Sequence, residues 1–329
     1  MANNYVYQAA RNQETVPYVG FGVGWTPKAK GAILHPAENG KKEWVENSLN
    51  VQESVEGLFA RANDNFQENK NYDENPFLTM AAFQGTGKHL SEIANGTRIA
   101  VAGPISKSEW TAKKDGSKHV SYRVLVDALQ ILGDGATLNR FCGFSTRIYQ
   151  DRTFGMVNLL MAKVTKIGDL GTDRNGRSYL FVQAETAIDG TEILDRANGT
   201  WNKDKSYYKS GRITLVFSGK AAESRANSLQ EGQLLCVTGM VERNEYQGKV
   251  YCRVRVDRAI ICGEAPASSD NGNGKAAPKK AATKKAASKP DTTDAADAPE
   301  VPEDNGEAAP SEPHVDDFGL GDEDDELPF

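Results

Sequence analysis

The sequence has little that would suit a membrane-spanning, secreted or zinc-binding protein. No uncharged apolar run approaches the roughly 18 residues that a membrane-spanning helix needs. Residues 1–11 are polar and lack the apolar stretch of a secretory signal, so we expect a cytoplasmic protein without a membrane anchor. Cys142, Cys236, Cys252 and Cys262 show no C-x-x-C spacing, which favours reduced thiols over a zinc site.

Groups that carry catalysis are also scarce. Three of the four histidines, His35, His89 and His119, share no motif with a nucleophile. Residues 85–88 resemble the end of a phosphate-binding loop, but Ala82 stands where the motif needs its first glycine and His89 where it needs a hydroxyl residue. We therefore predict that the protein is not an enzyme and that it needs no cofactor and no metal.

Charge is unevenly distributed along the 329 residues. Residues 264–329 hold 17 acidic and 6 basic residues, a net charge of −11, whereas residues 1–263 have a net charge of +5. A mildly basic body tolerates a polyanionic partner, and a strongly acidic tail is typical of an interaction arm. Because residues 264–329 contain almost nothing to bury, we predict a disordered linker and tail. The six lysines within residues 275–289 either belong to a solvated linker or make weak phosphate contacts.

The end of the tail departs from this polar composition. A terminal aromatic residue behind a proline, carrying the free carboxylate, suits a partner pocket with an apolar floor and a basic rim. The acidic residues would guide the encounter and the aromatic ring would anchor it. The predicted protein-interaction tip comprises Asp324, Asp325, Glu326, Leu327, Pro328 and Phe329.

The body contains an internal repeat. Residues 119–127 match residues 249–257 at five of nine positions, and residues 95–103 align with residues 231–239. The offsets of 130 and 136 indicate that one loop is six residues longer in the first copy.

The second copy shows the pattern of a small β-barrel. It predicts, in chain order, strands at 156–167, 177–186 and 212–217, a long polar loop at 188–211, a helix at 220–229, and a hairpin of strands 233–241 and 249–261. Three strands, a helix and two strands are the order of the OB-fold, a five-stranded Greek-key barrel.

The first copy is clear only in its second half. Its pattern predicts a first strand at 18–25, a strand at 77–83, a helix at 88–94, and a hairpin of strands 98–108 and 119–132. Helical spacing of Val51, Val55, Leu58 and Phe59 indicates an inserted helix.

These copies predict an all-β protein with two OB-folds in tandem. Phe83 and Phe217, which each end a β-rich run, are aligned as equivalent positions. The predicted divisions are a divergent OB-fold with an insertion at 1–145, an OB-fold at 146–263, and a disordered linker and acidic tail at 264–329.

Both the tip and the strand order of residues 156–262 resemble the bacterial single-stranded DNA-binding proteins. Members of that family end in an acidic cluster followed by a hydrophobic residue, proline and phenylalanine; here Glu326 and Leu327 stand where aspartate and isoleucine are usual. The resemblance implies sequence-independent binding and protection of single-stranded DNA during DNA replication, recombination and repair, with partner enzymes recruited through the tip. Because members usually present four OB-folds, it also implies a homodimer, associated with the nucleoid in the cytoplasm.

Candidate DNA contacts lie on the last strand of each copy. An OB-fold binds single strands across one face of its barrel, using aromatic platforms and basic side chains. In strand 249–261 the odd-numbered Tyr251, Arg253 and Arg255 are predicted to face outward, and Arg123 is the first-copy equivalent of Arg253. A solvated outer face is the alternative reading of each arginine.

Three loops combine aromatic and basic residues in the manner of a single-strand binding surface. The alternative to DNA contact for Trp201 is a place in the hydrophobic core. We expect Trp25 and Trp44 to be core residues. The loop candidates are Lys107, Trp110, Lys113, Lys114 and Lys118 in the first-copy hairpin, Arg243, Tyr246 and Lys249 in the second-copy hairpin, and Trp201, Lys203, Lys205, Tyr207, Tyr208 and Lys209 in the long loop.

Two other functions remain open from the sequence. One is an interaction hub whose OB-folds bind proteins. The other is an OB-fold protein that binds single-stranded RNA, since stacking grooves accept either kind of strand.

Overall fold

The computed structural model describes residues 6–9, 16–38, 42–113, 116–149 and 152–263. The predicted linker, acidic tail and tip at 264–329 lie outside the described residues. All described residues belong to one compact unit, Met1–Ala267. None of the helices in this part of the chain is long and apolar enough to cross a membrane.

The described residues are mostly strand. Their elements, in chain order, are β1 (Val6–Ala9), β2 (Tyr18–Trp25), β3 (Ile33–His35), β4 (Trp44–Val51), α1 (Val55–Ala62), β5 (Phe77–Phe83), α2 (Gln84–Glu92), β6 (Arg98–Thr111), β7 (Lys118–Leu125), β8 (Ala128–Ile131), β9 (Gly143–Tyr149), β10 (Arg152–Ile167), β11 (Gly171–Thr172), β12 (Ser178–Thr186), α3 (Gly190–Ala197), β13 (Gly211–Ser218), α4 (Gly219–Ser228), β14 (Leu234–Tyr246) and β15 (Lys249–Gly263).

The first barrel, which we call barrel one, is closed by five strands. β2 pairs antiparallel with both β4 and β6, β4 pairs antiparallel with β5, and β6 pairs antiparallel with β7. A parallel pairing of β5 with β7 completes the circuit. Since α2 lies between the third and fourth barrel strands, this is the connectivity of an OB-fold.

Barrel two repeats the same circuit. β10 pairs with β12 and β14, β12 with β13, and β14 with β15, all antiparallel, while β13 pairs parallel with β15. The helix α4 occupies the position of α2. The prediction of two tandem OB-folds is therefore confirmed. The predicted division at residue 145 falls within β9, which pairs with β10 and β1, and it stays a prediction.

Several predicted elements have different bounds or types. The first-copy strand 119–132 is two strands, β7 and β8, and the helix predicted at 88–94 begins earlier as α2. The predicted polar loop 188–211 is wrong in part, because α3 lies within it. α3 buries Ile193, Leu194 and Ala197. These three apolar positions are too few to stand out in a polar stretch, so periodicity alone missed the helix.

The alignment of Phe83 with Phe217 is also wrong, by one residue. Phe83 lies opposite Trp44 in the sheet and is 41% exposed, whereas Phe217 lies opposite Leu180 and is 2% exposed. A shift of one residue moves a side chain to the other face of a strand. Ala82, not Phe83, therefore occupies the core position that Phe217 fills.

A seam of apolar residues joins the barrels. Its buried members include Tyr18 and Ala100 from barrel one and Leu159 and Met161 from barrel two. Polar groups close the seam as well. The Thr238 hydroxyl donates a hydrogen bond of 3.0 Å to the Gly20 carbonyl, the Gln130 amide donates one of 3.1 Å to the Leu159 carbonyl, and the Arg258 guanidinium donates one of 3.1 Å to the Phe21 carbonyl. These hydrogen bonds hold one barrel in a fixed position against the other.

Candidate nucleic-acid interface

The outer face of barrel two carries aromatic rings that the sequence analysis did not single out. Leu180 and Val182 of β12 point into the core, so the alternating Tyr179 and Phe181 point outward. Their ring centroids are 5.2 Å apart in an edge-on arrangement. The same alternation is visible in the sequence and would have identified both rings.

Arg253 lies on this face but is not open to solvent. Its neighbours Cys252 and Val254 belong to the core, so its side chain leaves the barrel as predicted. It is nevertheless 5% exposed, because its guanidinium carbon lies 5.4 Å from the centre of the Phe181 ring and it faces Glu242 across the β14–β15 ladder. The expectation of a solvent-facing Arg253 is therefore corrected.

Burial changes the pKa of both Arg253 and the neighbouring Glu242. Burial raises the pKa of the Glu242 carboxyl, and the neighbouring Arg255 and Arg253 offset part of the rise. Burial also lowers the pKa of Arg253. Of the three predicted contacts on β15, Tyr251 is 39% exposed and Arg255 is half-buried, so these two are accessible to a ligand.

Barrel one presents a groove on the corresponding face. It has a volume of about 630 Å³ and is lined by Trp44, Phe83, Leu125, Ile105, Lys107 and Arg123, among others. The Trp44 ring stacks on His35 with centroids 3.9 Å apart and lies 6.5 Å from Phe83. Arg123 lies over Trp44 at 5.7 Å and is 3.7 Å from a Glu46 oxygen.

Two tryptophans that we expected in the core lie outside it. Trp44 is half-buried on the outer face, and Trp25 is 41% exposed with the Arg98 guanidinium 5.6 Å from its ring. Both stand at the ends of strands whose alternate residues form the core. The position of each within its strand, rather than its apolar character, decides the face that it occupies.

The β6–β7 hairpin brings its predicted residues together. Trp110 lies opposite His119 in the ladder and stacks on it with centroids 4.3 Å apart, and it is 53% exposed. Lys107 forms an ion pair with Glu109, and Lys113 and Lys118 are exposed. Lys114 lies outside the described residues.

The β14–β15 hairpin is its equivalent. Tyr246 lies opposite Lys249, as Trp110 lies opposite His119. Lys249 is exposed, and Arg243 is 3.4 Å from Glu245. The backbone of Tyr246 belongs to β14, but its side chain is outside the described part of the structure.

Between the second and third strands, each barrel carries the same kind of insertion. We call residues 54–76 arm one and residues 189–210 arm two. Each begins with a capped helix, α1 or α3, in which the side chain of the preceding Ser54 or Asp189 accepts a hydrogen bond from a backbone N–H of the first turn.

The ends of the two helices also match. The Asn63 amide donates a hydrogen bond of 2.9 Å to the Phe59 carbonyl, and the Asn198 amide donates one of 2.8 Å to the Leu194 carbonyl. Each asparagine closes a shared Arg-Ala-Asn sequence, at 61–63 and 196–198. This identity, at an offset of 135, was a signal of the duplicated arms that our repeat search missed.

A guanidinium lies over an aromatic ring in both arms. The Arg61 carbon is 3.5 Å from the centre of the Phe66 ring, and the Arg196 carbon is 4.5 Å from the centre of the Trp201 ring. Such cation–π contacts hold a ring in one orientation.

An ion pair then ties the rest of each arm to its helix. Lys70 is 2.9 Å from Glu56, and Lys205 is 2.6 Å from Asp195. The Tyr207 hydroxyl donates a further hydrogen bond of 2.8 Å to Asp195. Lys205 and Tyr207, both predicted DNA contacts, therefore also hold arm two in place.

The exposed surfaces of the arms differ. In arm one, Phe66 has Arg61 against it and also stacks on Tyr72 at 5.0 Å. In arm two, Trp201 is 42% exposed and Tyr208 is 81% exposed. Lys203 and Lys209 are exposed as well. By residue count, arm one has a net charge of −3 and arm two has none.

Among the described residues, no group of three or more His, Cys, Asp or Glu side chains is placed to hold a metal ion. The four cysteines are free thiols, and burial raises the pKa of Cys142 and of Cys252 to about 12. The predicted tip residues lie outside the described residues.

No family model and no curated protein matches the chain. Among solved structures, it is similar to the small single-stranded DNA-binding protein from Streptomyces coelicolor, with 15% identity, coverage of 36% of this chain and 95% of that one, and a TM-score of 0.26. The single-stranded DNA-binding protein from Thermus aquaticus has 15% identity, coverage of 76% and 95%, and a TM-score of 0.23.

A third similar structure is the Plasmodium falciparum SSB in complex with ssDNA. It has 16% identity, covers 37% of this chain and 98% of that one, and has a TM-score of 0.24. At such scores the similarity carries no argument, so the fold assignment rests on the strand circuits described above and the function on the residues themselves.

Proposed function

We propose that the protein binds single-stranded DNA without sequence preference. The observation that carries this proposal is arm two, where the exposed rings of Trp201 and Tyr208 stand among exposed lysines. Single-strand binders combine stacking rings with basic groups that follow the phosphates, and each stacked base contributes about 1–3 kcal/mol.

The outer barrel faces extend this surface. Tyr251 and Arg255 on barrel two, and Arg123 with Trp44 on barrel one, add rings and positive charge beside the arms. The Trp110 hairpin adds a stacked ring flanked by lysines. The net charge of +5 over residues 1–263 suits a surface that is basic locally rather than throughout.

A titration of labelled poly-dT with the intact chain, repeated at several salt concentrations, tests the proposal. We expect tight binding, quenched tryptophan fluorescence and a log–log salt slope of about −0.7 per phosphate contacted. Affinity no greater than that for duplex DNA would overturn it. Competition with an RNA oligomer of the same sequence separates a DNA-binding from an RNA-binding protein.

We further propose roles in DNA replication, recombination and repair, in the nucleoid of the cytoplasm, as a homodimer that presents four OB-folds. The partner roles are supported by the acidic tip, Asp324 to Phe329, whose composition suits a basic-rimmed partner pocket. The dimer is supported by the two OB-folds of the chain and by the resemblance to a family whose members usually present four. Deleting residues 316–329 should tighten DNA binding at low salt if the tail competes for the DNA surface. Unchanged affinity at low salt would contradict this competition.

The groove of barrel one favours a second candidate function, an interaction hub. Its apolar lining of Trp44, Phe83 and Leu125 would equally suit an apolar segment of a protein partner. The hub function predicts that Trp110→Ala and Trp201→Ala leave DNA affinity unchanged, whereas the DNA-binding function predicts a loss for both.

A further inference from the structure

A second cavity lies between arm two and the segment that connects the barrels. It has a volume of about 420 Å³, within the range of about 300–1,000 Å³ that is usual for small-ligand sites. Trp201 and Arg196 of arm two line one side, and Cys142 and Phe144 of the connecting segment line another. Asp127, which follows β7 of barrel one, also reaches it. We call this cavity the junction cleft.

The tryptophan in this cleft has an arginine packed against its ring. Arg196 lies 4.5 Å from the centre of the Trp201 ring and 5.8 Å from the centre of the Phe144 ring. Its Nε donates a hydrogen bond of 2.9 Å to Glu192. With its guanidinium fixed in this way, Arg196 orients the indole, and the rest of the 42% exposed ring is left for a ligand.

The charges in the cleft largely neutralise one another. Glu192 is 3% exposed and accepts hydrogen bonds from both Arg140, at 2.6 Å, and Arg196. Asp127 also lines the cleft, so its lining holds two arginines and two acidic residues. The Cys142 thiol is neutral at physiological pH because burial raises its pKa to about 12. A phosphate gains little attraction in such a site, whereas an uncharged ring gains stacking area.

We propose that the junction cleft holds one nucleobase of a bound single strand, stacked on Trp201. This inference rests on the proposed DNA-binding function and names the part of the ligand and its place. Lys203 and Lys209 of the same arm are exposed and supply the phosphate contacts outside the cleft. Because every base has a π-face, the site accepts any base. At this point the bound DNA strand contacts barrel two, the connecting segment and Asp127 of barrel one.

Binding of a fluorescein-labelled dT oligonucleotide to the full chain tests the inference. We expect Trp201→Ala to weaken binding about 5- to 150-fold, the equivalent of one stacked base, with an unchanged salt slope because no phosphate contact is lost. Trp201→Phe should keep most of the affinity. The matched control is Phe66→Ala at the equivalent position of arm one, which should bind as the intact chain does.

A variant that fills the cleft separates this site from stacking elsewhere on Trp201. Cys142→Phe places a ring in the cleft and leaves Trp201 intact, so it should weaken binding about as much as Trp201→Ala does. The control, Thr137→Phe, adds the same ring at an exposed position of the connecting segment outside the cleft lining and should not weaken binding. Cys142→Phe that folds and binds with intact-chain affinity would overturn the inference.

A third measurement does not depend on the folding of that variant. Replacing Trp25, Trp44 and Trp110 by phenylalanine leaves Trp201 as the sole tryptophan, and dT should quench its fluorescence. Absence of quenching during saturable binding, or Trp201→Ala with intact-chain affinity, would overturn the cleft but not DNA binding. Failure of the intact chain to bind dT at all would instead overturn the proposed function.

Discussion

Arm one and arm two are two copies of one insertion that have kept their internal contacts and changed their surfaces. Both have a capped helix, an arginine over an aromatic ring and a lysine tied to a carboxylate. Arm one nevertheless has a net charge of −3 and stacks Phe66 on Tyr72, whereas arm two is neutral and exposes Trp201.

This difference shows which positions hold the arm together and which are free for binding. The caps and the ion pairs satisfy backbone and charged groups, and losing them would cost stability. The residues between them face solvent, so they can change from acidic to basic without altering the backbone. Two copies of one structure can therefore carry different functions, and the DNA-binding function is expected to lie mainly in barrel two.

The largest expected effect is the loss of phosphate contacts from arm two. Replacing Lys203, Lys205 and Lys209 together by glutamine should weaken poly-dT binding and reduce the magnitude of the salt slope by up to about 2, at roughly 0.7 per phosphate. Lys70→Gln in arm one serves as the control and should leave the slope unchanged. Equal slopes for the intact chain and the triple variant would remove the distinction between the arms.

A gain of function in arm one is the next largest effect. Glu68→Lys with Glu74→Lys changes the net charge of arm one from −3 to +1 at two exposed positions. We expect tighter binding at low salt and a slope steeper by up to about 1.4. The pair of glutamine substitutions at the same positions controls for the loss of negative charge. If the variant with two lysines binds DNA no better than the variant with two glutamines, arm one lies away from the path of the bound DNA strand.

The helix ends should respond equally in the two arms. Asn63→Ala and Asn198→Ala each remove one hydrogen bond from an asparagine amide to a carbonyl four residues earlier. Each should lower the free energy of unfolding by about 1 kcal/mol, measured by urea denaturation, with little change in DNA affinity. If only one of the two substitutions lowers the free energy of unfolding, the shared backbone is not equally important in both copies.

The smallest effect concerns pH. Burial alone would raise the pKa of Asp195, but hydrogen bonds from Lys205 and Tyr207 lower it further than burial raises it. In arm one, hydrogen bonds from the Asp73 backbone and from Lys70 lower the pKa of Glu56. A carboxyl whose pKa is lowered in the folded state adds stability above its ordinary pKa and loses it as the pH falls below about 4.

Unfolding measured between pH 6 and pH 3 should therefore show a small loss of stability that both arms share. Asp195→Asn and Glu56→Gln should each flatten part of this dependence. A steeper pH dependence in either variant than in the intact chain would contradict the assignment of the two ion pairs.

Much of the fold could be predicted from the sequence because the alternation that indicates a strand involves only neighbouring residues. β2 and β5 have the bounds predicted from alternation, and β14 and β15 form the predicted hairpin. Alternation also predicted that Tyr251 and Arg255 face outward, and the intervening Cys252 and Val254 lie in the core. The candidate site was predicted less completely. Trp110, Trp201 and Tyr208 are exposed as expected, but Phe181 and Phe83 were not recognised.

The misses arise where the partner of a residue is distant in the chain. Arg253 faces outward by its strand position, yet Phe181, 72 residues earlier, covers it. Trp44 is as apolar as a core residue, yet it lies outside the barrel beside Phe83, 39 residues later. No local pattern contains these neighbours.

The sequence by itself determined the two barrels, their repeated strand order and the composition of the acidic tail, because alternation, turn residues and charge are properties of neighbouring positions. Only the tertiary structure decided the matching contacts within the two arms, the burial of Arg253 and the cleft that Trp201 shares with Cys142. These depend on which surfaces meet when distant strands close into barrels and the barrels pack along their seam.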